Sequence, residues 1–88
     1  MEDSLYINVR ENADTIVLQA IIPDTIEEAP LSEIVAYMER YLADYIINQW
    51  EHVKQRWLVG YVIVKGRQRL EYRLFNVDDM GRMYGLED

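Results

Sequence analysis

The sequence predicts an α+β fold: a four-stranded, mainly antiparallel sheet with one long helix laid across one face. Two observations lead there. Residues 5–22 and 57–77 each read as a pair of apolar, alternating segments joined by a tight turn, the pattern of a half-buried hairpin. Between them, residues 31–53 repeat their apolar positions at intervals of three and four, the period of an amphipathic helix. The order is then ββαββ, with residues 1–77 as one domain and 78–88 as a C-terminal tail that is docked or flexible.

The first hairpin starts at Leu5-Tyr6-Ile7-Asn8-Val9, which places Leu5, Ile7 and Val9 on one face. A β-branched run from Thr15 to Ile22 follows, and Asn12-Ala13 stands where a tight turn is needed. With those two residues as the loop, Val9 faces Ile16, Ile7 faces Leu18 and Leu5 faces Ala20, so each core residue meets an apolar partner. Pro23-Asp24 ends the strand, Thr25-Ile26-Glu27-Glu28 has the spacing of a capping box, and Pro30 suits a helix start.

One helix is expected from there to about His52. Leu31, Ile34, Val35, Met38, Tyr41, Leu42, Tyr45, Ile46 and Val53 share a broad core arc, with Glu33, Arg40, Asp44 and Glu51 opposite. A second stripe of Ala36, Ala43, Ile47 and Trp50 suits close approach by another helix. Its plainer explanation is that the alanines are good helix formers and Trp50 folds back at the sheet edge.

In the second hairpin, Gly66 supplies the φ > 0 that the loop Gly66-Arg67 requires. Continuing that register pairs Ile63 with Leu70, Tyr61 with Tyr72, Val59 with Leu74 and Trp57 with Asn76 on the inward face. Val64 with Arg69, Val62 with Glu71, Gly60 with Arg73 and Leu58 with Phe75 fall on the outward one. Gly60 has no side chain to pack and points to a bulge or a close backbone approach. One helix leaves the outward face bare, and its apolar residues predict burial against a second copy, through that sheet face or the helix stripe.

Composition narrows the function. Eighty-eight residues form one small domain, and without cysteine neither a disulfide nor a thiolate metal site supports it. Association is the remaining route to a larger buried core. The opening Met-Glu-Asp is not a signal peptide, and no apolar run reaches the roughly 20 residues of a bilayer span, so a cytoplasmic protein is expected. Ser32 and the lone His52 lie about 30 Å apart on a continuous helix, which forbids a triad. Neither a phosphate-binding loop nor a dinucleotide motif occurs. No enzyme, metal or cofactor is expected.

Charge is uneven. Residues 1–53 hold eleven acids against Arg10 and Arg40, while residues 54–73 hold six bases against Glu71. The acids Glu27, Glu28, Glu33, Glu39, Asp44 and Glu51 therefore suggest a protein partner with a basic surface. They would occupy a groove made for nucleic acid, as small acidic inhibitors, including virus-encoded antagonists of host defence nucleases, do. The alternative is a nucleotide or nucleic-acid binder using Lys65, Arg67, Arg69 and Arg73. A net charge of −7 disfavours it. A self-associating protein is a third possibility, with Ala36, Ala43, Ile47, Trp50, Leu58 and Phe75 as candidate homodimer contacts.

Overall fold

A computed structural model describes residues 6–23 and 30–86. The chain forms β1 (Tyr6–Glu11), β2 (Thr15–Ile22), α1 (Leu31–Asn48), a single turn α2 (Trp50–Val53), β3 (Leu58–Lys65), β4 (Gln68–Asn76) and α3 (Val77–Met83). The four strands make one sheet in the order β1-β2-β3-β4. Both hairpins are antiparallel, but β2 and β3 run parallel. The fold is thus α+β with a mixed sheet, in which α1 and α2 form the crossover that a parallel pair requires.

In β2 the alternation is complete: Ile16, Leu18, Ala20 and Ile22 are buried. The turn before it is tighter on the strand side than the expected Asn12-Ala13 loop. The Asn12 side chain accepts from the backbone N–H of Asp14 and Thr15 at 2.8 and 2.9 Å, and Asn12 N–H donates to the Thr15 carbonyl at 3.0 Å. The loop is therefore Ala13-Asp14, and the register moves by two: Val9 faces Leu18 and Ile7 faces Ala20. An even shift keeps every side chain on its face. Ile16, Leu18 and Ala20 thus stay in the core, while Ile7 is half-buried and Val9, expected inside, is 47% exposed. Leu5 and the capping box at Thr25–Glu28 lie outside the described residues.

Helix α1 lays Met38, Leu42 and Ile46 on the sheet, against Val59, Tyr61 and Ile63 of β3 in one core. The single long helix is interrupted at Gln49, whose φ of −115° and ψ of 29° leave the helical region. Beyond the break, Val53 is buried and Trp50 packs against the core. Trp50 thus packs inward and does not stand in an exposed stripe with Ala36 and Ile47.

Lys65 pairs with Gln68 across Gly66-Arg67, with Gly66 at φ 61°. The expected register holds for Val64 and Arg69, then a bulge intervenes and Ile63 pairs with Glu71. One unpaired residue, Leu70, exchanges the faces of the rest of β4. Glu71, Arg73 and Phe75 come to the helix side, while Tyr72, Leu74 and Asn76 come to the open side. The predicted pairs Tyr61–Tyr72, Val59–Leu74 and Leu58–Phe75 are replaced by Tyr61–Arg73, Val59–Phe75 and Leu58–Asn76. Gly60 sits where the backbones crowd: a Cβ there would lie 1.9 Å from the Arg73 carbonyl oxygen.

After β4 the chain turns into α3. The Asn76 side chain caps it by accepting from Asp79 N–H at 3.1 Å, and Asp78 and Asp79 occupy its first turn, where the helix dipole favours acids. It ends with Gly85 at φ 68°, Gly85 N–H bonded to Arg82 O and Leu86 N–H to Gly81 O, the Schellman arrangement. Val77 and Met80 are buried, and Tyr84 and Leu86 pack against the core.

Candidate functional site

The surface of α1 away from the sheet follows from its helical period. Glu33, Tyr37, Arg40, Asp44, Ile47 and Glu51 recur at steps of four and three residues and are all exposed, so they form one ridge along α1 and into α2. Glu33, Asp44 and Glu51 thus stand opposite the core as the sequence suggested. Glu39 is exposed on the flank, and its charge adds to the burial that raises the Tyr61 phenol above its ordinary pKa. Glu27 and Glu28 lie outside the described residues.

The acids are unequally available. Glu51 is paired with Lys54 at 2.9 Å. Among the described residues, Glu33, Glu39 and Asp44 enter no ion pair. Sequence reasoning did not single out the aromatic component. Tyr37 is 43% exposed and Tyr41 38%, and their rings are tilted against each other at 6.1 Å between centroids. Tyr41 was expected in the core arc; it lies at that arc's margin, where the sheet no longer covers it. Exposed tyrosines are among the residue types that anchor protein interfaces.

The basic hairpin is dispersed rather than assembled. Lys65 and Arg67 sit at its tip. Arg69 lies over the Tyr72 ring at 5.1 Å on the open face, whereas Arg73 lies over Phe75 at 5.8 Å on the helix face. Arg73 also approaches Glu71 at 3.8 Å. The bulge at Leu70 is what separates Arg69 from Arg73, so the four cations do not converge on one ligand-sized point.

The proposed self-association residues divide likewise. Ala36 and Ile47 are exposed, Ala43 is half-buried and Trp50 is held on the core. Leu58 is half-buried on the open face, but Phe75 is on the helix face against the core. They cannot share a patch. Asn76 takes the place opposite Leu58 that was expected for Phe75.

A third group joins distant parts of the chain. Glu11, at the end of β1, accepts from His52 Nε2 at 2.8 Å and from Arg56 at 3.1 Å. His52 therefore serves a carboxylate from the first hairpin. That hydrogen bond is the main cause holding the Glu11 carboxyl below its ordinary pKa, with Arg56 adding to it. The role is structural: the triplet ties the first hairpin to the α2–β3 connection. No helix among the described residues is long and apolar enough to cross a membrane. Comparison with known proteins finds no matching family model, no matching curated protein and no matching solved structure.

Proposed function

We propose that this chain is a small acidic protein-binding module that presents the α1 ridge to a basic surface on another protein. It acts there as an inhibitor or antagonist of nucleic-acid binding. One observation carries the reading: Glu33 and Asp44 stand unpaired, among the described residues, on the same exposed stripe as Tyr37. Carboxylates attract a basic groove and compete with phosphates for its lysines and arginines. Tyrosine contributes rigid contact area at a small entropic cost. The working unit in this reading is a homodimer.

The dispersed cations support this reading over a nucleotide site in the hairpin. Affinity capture from a nuclease-treated lysate tests it. A stoichiometric protein that binds nucleic acid alone, and loses that binding when the acidic chain is added, supports the reading. Nucleic acid retained through nuclease treatment, with no protein partner, overturns it.

A further inference from the structure

We infer that the open face of the sheet is the surface through which two copies of this chain pack, sheet on sheet, about a two-fold axis parallel to the strands. This rests on the homodimer part of the proposed function and names the surface it uses. The face has the composition of an interface. Its centre, on β2 and β3, is mainly aliphatic, with Val17, Ile21, Val62 and Val64 each only half-buried in the single chain around Gln19, which accepts from Arg10 at 3.3 Å. Its rim carries tyrosines and arginines, and no acid among the described residues lies on it, although the protein as a whole is strongly acidic. An apolar centre with an aromatic, cationic rim and few charges within is how protein interfaces are built.

The placement of charge favours a second copy over an unrelated partner. Following the register across the sheet, Tyr6, Ile21, Val64 and Arg69 form one row. Arg10, Val17, Gly60 and Leu74 form another, two rows below. The two arginines thus occupy diagonally opposite corners. A two-fold axis along the strands lays β1 of one copy over β4 of the other. Arg69 then meets the partner's Tyr6, Arg10 meets the partner's Leu74, and no cation meets a cation. Val17 comes over the partner's Gly60, the place in the row where no side chain stands. Aligned sheets pack with their strands about 30° apart, an offset that side chains as long as Arg and Tyr span. Four strands at about 4.8 Å by eight residues at about 3.3 Å give roughly 500 Å² of projected face per copy. A pair reaches about 1,000 Å², the least that a well-fitting biological interface should bury.

The test is sedimentation equilibrium of the full chain beside Tyr6→Glu, Gln19→Glu and Ile47→Glu. Tyr6 is 70% exposed in the single chain, so its substitution leaves the monomer fold intact, and circular dichroism checks each variant. The expected result is a wild-type dimer whose dissociation constant rises at least about tenfold in both sheet-face variants and not in Ile47→Glu. A dimer unaffected by Tyr6→Glu and Gln19→Glu overturns the assignment of the face while leaving the homodimer standing. A wild-type monomer at micromolar concentrations, including one that shifts a single-stranded oligonucleotide, overturns both.

Discussion

Glu11 and His52 are 41 positions apart in the chain, and their side chains meet at 2.8 Å, with Arg56 completing the contact from the same side. The contact fastens β1 to the end of the helical crossover. β1 is an edge strand whose side chains are almost all exposed, so little burial holds it there.

The link has a pH signature. The Glu11 carboxyl is held below its ordinary value in the folded chain. Its contribution to stability is therefore present above the unfolded carboxylate range and is lost as pH falls through the folded value. Glu11→Gln should melt at a lower temperature than the wild type near neutral pH. The two melting curves should converge as the pH falls below the unfolded carboxylate range and through the folded value. A gap of constant size across that range would show that the pairing does not stabilise the fold.

The bulge at Leu70 makes a prediction opposite to that of an unbroken hairpin register. Phe75 packs against the core beside Val59, so Phe75→Ala should cost about 2–3 kcal/mol. Leu74 stands on the open face, and Leu74→Ala should cost under about 1 kcal/mol in dilute solution, where association makes no contribution. Urea denaturation of the two variants decides, and the reverse order would mean that the register continues without a bulge.

Gly60 is the position where sequence and structure agree most closely. A Cβ there meets backbone, which cannot swing aside, so Gly60→Ala should destabilise by about 3 kcal/mol or more. Gly66 has open space around it and only its positive φ to satisfy, so Gly66→Ala should cost about 1 kcal/mol. Equal effects at the two sites would remove the strand crowding as an explanation for Gly60.

The Gly66-Arg67 turn and the buried stripe of Met38, Leu42 and Ile46 were legible because local spacing encodes them, whereas the first turn lies one residue later than its Asn12-Ala13 spacing suggested. The parallel pairing of β2 with β3 was not legible, since alternation says which face a residue takes and nothing about which strand lies alongside. The bulge was hidden for a related reason: Leu70, Tyr72 and Leu74 are as plausible inward as Phe75, so β4 reads acceptably in either register. Helix α3 left signals that were present but passed over: Asn76 ahead of Asp78 and Asp79, and Gly85 just past the last turn. Asn76→Ala should cost about 1 kcal/mol, read by thermal melting, if that cap holds α3 in place. At the candidate site, the helical period alone placed Glu33 and Asp44 outward. Tyr37 shares that period but reads as one more solvated position among charged neighbours, and Tyr41 sits at the margin of the core arc.

The central claim is that the α1 ridge, with its unpaired acids, is the contact to a basic protein. Its most direct test is the affinity of the captured partner for the Glu33→Lys, Asp44→Lys double variant, measured by calorimetry at low and moderate salt with the fold checked by circular dichroism. Reversal of two interfacial charges should weaken binding by roughly a hundredfold or more, most strongly at low salt. An affinity within about twofold of the wild type at both salt concentrations would place the contact elsewhere on the molecule.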